Sequence, residues 1–179
     1  MKHLSWSHRL FLHINGLIGK NAFRDRVMIF FGKRLLFVFA LSAVVFFFFG
    51  VLPSERMIFF ILTMGAFVCA YGLSYSLAMA LRLPRPIREF PYIRELIIPF
   101  GRWKSFPSDH TISATLLAIV HYFISPYPVF LLSLFVALCI MAGRVYCGVH
   151  YPRDIIGGIL VALIAVLIVV ASFFLFTIV

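Results

Sequence analysis

GRVYCGVHYPRD, residues 143–154, sits between long apolar runs at 128–143 and 155–178. Arg144, His150, Arg153 and Asp154 fall inside it, in a chain where only 12% of residues are charged. Such side chains are expensive at a membrane boundary and persist there when something uses them. The flanking composition says that the boundary is a membrane. Of the 179 residues, 63% are hydrophobic and 22 are Phe, and the mean hydropathy is +1.07. A soluble domain of this size could not hide so much apolar surface, so lipid must be part of the solvent. The length suits a single domain, 1–179.

Further apolar runs occupy 35–52, 57–81 and 111–124. A bilayer crossing takes about 20 residues, and the shorter runs at 111–124 and 128–143 can borrow flanking residues. The expected fold is an all-α integral membrane helical bundle. It has about five transmembrane helices plus an N-terminal amphipathic helix within LSWSHRLFLHINGLIGK, residues 4–20, lying in the interface. Residues 53–56 (PSER) and 125–127 (SPY) read as tight turns. The long loop 82–107 carries Arg82, Arg85, Arg88, Arg94, Arg102 and Lys104, and its stretch 93–100 (IRELIIPF) reads as a short interfacial helix. Alternation then places the helix ends near 81, 108, 144 and 154 on one membrane face.

Three polar pieces share that face: LRLPRP at 81–86, FPSDH at 106–110, and GRVYCGVHYPRD. Together they hold two forked cations (Arg85, Arg144), two histidines (His110, His150), a carboxylate (Asp154) and a helix start at Ser108–Asp109. Phosphoryl transfer without a metal needs this set. Arginine binds phosphate oxygens bidentately and keeps its charge. A helix N-terminus offers free N–H groups to an anion. One histidine can attack phosphorus while a carboxylate holds its tautomer, and the other can protonate the leaving oxygen.

The pieces resemble the motifs of the type 2 phosphatidic acid phosphatase superfamily: K-x6-RP, then PSGH, then SR-x5-H-x3-D. Here Arg144, His150 and Asp154 keep the third spacing, with Gly143 in the serine slot. Asp109 takes the glycine slot of the second motif, and Ala78 takes the lysine slot before Arg85-Pro86. FPSDH with a first motif lacking its lysine looks like the bacitracin-resistance type of undecaprenyl-diphosphate phosphatase, as does INGLIGKNAFRDRVMIFF at 14–31. The resemblance implies that His150 attacks phosphorus, Asp154 orients it, and His110 protonates the leaving oxygen. Arg85, Arg144, Ser108 and nearby N–H groups, that of Asp109 included, would hold the phosphate. Arg82, one turn beyond Ala78, and Lys104 are candidates to replace the lysine. The Asp109 carboxylate is expected to turn away, capping its helix or pairing with an arginine.

Each piece alone fits a plainer role. Arg144 and Arg153 could snorkel, His150 and Asp154 could cap a helix, and PSDH could be an N-cap. All three in family order on one face favour the site. His121 reads as a hydrogen-bonded interior histidine; His3, His8 and His13 read as interfacial, and Arg88, Arg94 and Arg102 as meeting headgroups or a second phosphate, or as a solvated loop face. Cys69, Cys139 and Cys147 form no CxxC pair. The net charge of +10 is scattered at helix ends without a basic-aromatic groove, which argues against nucleic acid and for anionic headgroups or a phosphate-bearing substrate.

The resemblance therefore implies a phosphatase in the cell membrane whose partners are the bilayer and a polyprenyl or other lipid phosphate. Undecaprenyl diphosphate is the first choice of substrate and no cofactor or metal is expected. The alternatives are a phosphatidate-type phosphatase or phosphotransferase, or a lipid-phosphate-binding protein without catalysis. The positive-inside rule puts the basic face in the cytoplasm, whereas the resemblance implies an extracytoplasmic site, and several of the arginines counted would be substrate ligands.

Overall fold

The computed structural model describes residues 4–99 and 103–178, so His3 and Arg102 lie outside the described residues. The described residues form helices and loops, in the order α1 (Trp6–Asn15), α2 (Ala22–Lys33), α3 (Leu35–Gly50), α4 (Arg56–Leu81), α5 (Pro86–Glu89), α6 (Asp109–Ile124), α7 (Tyr127–Tyr146) and α8 (Pro152–Ile178). Every apolar run of the sequence became a helix, because a polar backbone in lipid must satisfy its own hydrogen bonds. Three stretches are long and apolar enough to cross a membrane: Arg56–Glu89, Tyr127–Tyr146 and Pro152–Leu175. The pair α2–α3, bent by 48°, is a fourth if it counts as one span. At 16 residues α6 is about 24 Å long, short of a hydrocarbon core of about 30 Å.

α6 is the hub. Its buried Ile112 and Leu116 pack with Ala66 and Ala70 of α4 and Val161, Ala162 and Ala165 of α8. On another side its Ala114, Leu117 and Ala118 meet Phe39 and Ala43 of α3 and Ala137, Ile140 and Met141 of α7. Small residues at these contacts let helices approach closely where lipid supplies no hydrophobic drive.

α1 is shorter than the 4–20 stretch expected of it. Ser5 and His8 close a capping box at its start, and Phe11, Ser7 and Asn15 are buried on one face. α2 was not legible as a helix, since AFRDRVMIFFGK is mixed in character and breaks at Arg34. α2 packs against α7 through two glycines. A Cβ on Gly143 would lie 2.9 Å from Gly32 Cα and closer still to Gly32 N. Such backbone-to-backbone contact tolerates no side chain, which gives a physical reason for glycine where the superfamily pattern has serine. Gly143→Ser is therefore expected to cost about 1–3 kcal/mol, read as a lowered Tm in detergent.

The stretch 93–100 does not form the expected interfacial helix; residues 91–99 are turns and bends, and Phe100 lies outside the described residues. Its backbone is spent on other segments. Arg94 N–H donates to Asn15 Oδ1 (3.2 Å), Asn15 Nδ2 donates to Arg94 O (2.8 Å), and Leu96 N–H donates to Cys147 O (3.0 Å). A helix needs those same groups for itself, so α1 and the 147–149 turn keep the segment out of a helix. The only helix in the long loop among the described residues is the single turn α5.

Candidate active site

α7 ends at Tyr146, and the chain turns through Gly148 (φ +84°) into His150 before α8 begins. The turn cannot widen: a Cβ on Gly148 would run into Arg94 O. His150 is 3% exposed and Asp154, one turn into α8, is fully buried. His150 Nδ1 lies 3.4 Å from Asp154 Oδ2, and His150 Nε2 lies 3.4 Å from Arg85 Nη1. A guanidinium only donates and a carboxylate only accepts. The ring therefore keeps its proton on Nδ1 and its lone pair on Nε2. Burial pushes the His150 imidazole down to about 4, Arg144 and Arg85 push the same way, and Asp154 opposes them. At neutral pH the ring is uncharged.

Asp154 is held on several sides. Its Oδ2 accepts from Ser105 Oγ (2.7 Å) and Tyr151 N–H (2.9 Å), and its carbonyl accepts from Ser108 N–H (3.1 Å). The last bond stitches the second motif to the third. Two glycines permit it: a Cβ on Gly158 would lie 2.8 Å from Thr111 Cβ, and one on Gly157 would overlap the Phe106 ring. Ser105 carries no motif signal; only its distance to Asp154 reveals it.

Arg85 reaches the site from the start of α5 and donates to Val149 O (2.8 Å). Arg144, 4% exposed, donates through Nη1 to Gly32 O (2.8 Å). The latter bond explains what α2 does for the site. Ser108 is fully buried, and neither its Oγ nor Arg144 Nε has a hydrogen-bond partner among the described residues. Two buried donors without partners, beside the open N–H groups of α6, suit an anion. His110, on the first turn of α6, lies within electrostatic reach of Arg85, Arg144 and His150. Among the described residues no three His, Cys, Asp or Glu side chains are grouped to hold a metal ion.

The two departures in the first and second motifs meet in one place. Lys104 Nζ contacts Asp109 Oδ1 (2.5 Å) and Ser74 Oγ (2.6 Å), and Ser74 also donates to Asp109 Oδ1 (2.9 Å). The Asp109 carboxylate thus pairs with a lysine, where an arginine or a helix cap was expected. Ser74 lies one turn before Ala78 on α4, so Lys104 brings an ammonium to that face. Arg82 does not come to the site. It adopts a left-handed conformation (φ 46°) at the end of α4 and its exposed side chain donates back to Met79 O (3.2 Å). Lys104→Ala is expected to raise KM for a lipid phosphate about tenfold, while Arg82→Ala changes it less than about twofold; steady-state phosphate release separates the two.

A second layer steadies the His150 turn. Tyr151 OH donates to Glu89 Oε2 (2.7 Å), His8 Nε2 lies 3.5 Å from the same oxygen, and Arg153 N–H donates to Ser7 Oγ (3.1 Å). α1 is therefore a clamp on the site. His121 is the expected interior histidine: it is 1% exposed, donates from Nδ1 to Leu117 O (2.9 Å) and meets Ser42 Oγ at 3.1 Å.

An oriented histidine, its buried carboxylate and two arginines in a chain of apolar helices fit a membrane phosphatase. A family model described as the PAP2 superfamily matches residues 56–178, and the chain belongs to that superfamily. It is 26% identical over 161 residues to the undecaprenyl-diphosphatase BcrC of Bacillus subtilis (strain 168), an alignment spanning 88% of this chain and 79% of that protein. It is 29% identical over 163 residues to the putative undecaprenyl-diphosphatase YbjG of Escherichia coli (strain K12), spanning 88% of this chain and 78% of that one. The crystal structure of Aquifex aeolicus LpxE superposes with a TM-score of 0.74 at 23% identity, covering 96% of this chain and 98% of that chain. That likeness concerns the fold alone.

Proposed function

We propose that this chain hydrolyses undecaprenyl diphosphate to undecaprenyl phosphate and inorganic phosphate through a phosphohistidine on His150. The observation that carries the mechanism is the orientation of His150, with Nδ1 toward Asp154 and Nε2 toward Arg85. The names of the two relatives support the substrate. Nε2 attacks the terminal phosphorus and the bond to the bridging oxygen breaks. His110, protonated as the diphosphate brings its negative charge beside it, gives its proton to that oxygen, and undecaprenyl phosphate leaves. Water then attacks phosphorus as neutral His110 takes its proton, the N–P bond breaks, and phosphate departs with His150 Nε2 restored. Arg85, Arg144, Ser108 and the N–H groups of Asp109 and its neighbours hold the oxygens as charge moves.

In this reading the chain crosses the cell membrane about five times, with α6 borrowing flanking residues, and the site faces the extracytoplasmic side. Arg56 would then lie at the cytoplasmic surface. An Arg56→Cys variant is expected to react with an impermeant thiol reagent only in inverted vesicles; labelling of intact cells would reverse the placement.

The test of the function is phosphate release in detergent with EDTA present, from undecaprenyl diphosphate and from phosphatidate. Release from the diphosphate, with an acid-labile phosphate trapped on the protein, is the expected result. Release from phosphatidate alone would favour the phosphatidate reading, and transfer to an added acceptor lipid a phosphotransferase. Lipid binding without release from either would leave a non-catalytic lipid-phosphate-binding protein.

A further inference from the structure

We propose that the groove between α4, α6 and α8 holds the far part of the substrate's prenyl chain and makes the enzyme selective for long chains; this rests on the polyprenyl substrate proposed above. The groove has a volume of about 360 Å3 and is lined by apolar side chains, among them Phe67, Leu116, Val120, Val169 and Val170, with Thr63 the one hydroxyl.

The same helix faces that carry the groove lead up to the phosphate site. On α6, Asp109, Ser113, Leu116, Val120 and Phe123 recur every three or four residues and share a face. On α4, Ser74, Tyr71, Phe67, Thr63 and Phe59 do the same. At the upper end Lys104, Asp109 and Ser74 form the charged cluster. One turn below, Tyr71 OH and Ser113 Oγ lie 2.7 Å apart. Below them the groove lining is apolar except for Thr63, down to Phe59 and Phe123. Charge, then hydroxyls, then hydrocarbon is the order of groups along an amphiphile with a phosphate head and one long tail.

Depth selects the kind of tail. By helical rise Leu116 lies about 10 Å below Asp109 and Phe123 about 21 Å below it. On α8, Val169 lies about 22 Å below Asp154. Half of a hydrocarbon core is about 15 Å. A lipid whose phosphate is at the site and whose tail stays in its own leaflet reaches only the top of the groove. A prenyl chain long enough to pass the midplane fills it.

The test compares KM for undecaprenyl diphosphate with KM for farnesyl diphosphate, which carries only three isoprene units. Thr63→Trp and Val170→Trp each fill the groove. Leu167→Trp is the control, since Leu167 is 68% exposed on α8 and does not line it. Both groove variants are expected to raise KM for the long substrate about tenfold and to leave the short one unchanged, while the control alters neither. An equal rise for both substrates, or none for either, would overturn the proposal. A second readout needs no turnover. Undecaprenyl phosphate should raise the Tm of wild type more than that of Thr63→Trp; equal shifts overturn the groove. If wild type releases no phosphate from either prenyl diphosphate, the function proposed above fails, and the Tm comparison still decides the groove.

Discussion

His150→Ala is expected to lower phosphate release from the lipid at least about a thousandfold, with binding of the lipid retained. The cavity left by the ring sits beside Arg85 and Arg144, so the anion still finds its cations. What is lost is the atom that forms the bond to phosphorus. The same residue sets a pH dependence. The active form of the ring is neutral, and its proton affinity is lowered to about 4. kcat/KM should therefore show no loss as pH falls through the ordinary histidine range, since a lower pH also favours the protonated His110 that the mechanism uses. It should decline only as pH approaches about 4, where protonation removes the His150 Nε2 lone pair. A pH profile of wild type with an acid limb near the unperturbed histidine value, about 6.5, would contradict a buried, neutral nucleophile. Residual release above that floor in His150→Ala would contradict the mechanism itself.

The two simplest replacements of Asp154 should differ from each other. In Asp154→Asn the amide oxygen is expected to stay at the Oδ2 position, because the Tyr151 N–H points there and can only donate. Ser105 Oγ approaches the same atom. His150 then keeps an acceptor for its Nδ1 proton and loses only the negative charge that steadies it during attack. A loss of about a hundredfold in kcat is expected. Asp154→Ala removes the acceptor as well, frees the tautomer, and should cost about 10^4-fold. Ser105→Ala, which leaves the carboxylate in place, should cost about tenfold in kcat with KM unchanged. Equal losses in the Asn and Ala variants would mean that the oxygen is not held at that position. Each variant is read by single-turnover phosphate release, which separates chemistry from lipid binding.

The apolar runs told most of the fold, because a helix in lipid is the local solution to a local problem: each backbone group is satisfied within a few residues. The positions 35–52, 57–81, 111–124, 128–143 and 155–178 therefore became α3, α4, α6, α7 and α8 with small shifts at their ends. The composition and the three motifs likewise told the class, and the spacing of Arg144, His150 and Asp154 told which side chains one turn of chain and one turn of helix could bring together. Tertiary structure alone decided the rest. α2 has no apolar period of its own and exists as a partner of α7 through Gly32 and Gly143. Residues 93–99 stay non-helical because Asn15 and Cys147 take up hydrogen bonds that a helix would need. Ser105 and Lys104 acquire their roles from contacts with Asp154 and Ser74, 49 and 30 positions away along the chain. Arg82, next to the motif in sequence, is turned outward by one left-handed residue. Sequence pattern carries what repeats along the backbone; a contact between distant segments leaves no period to read, and only the packed chain makes it.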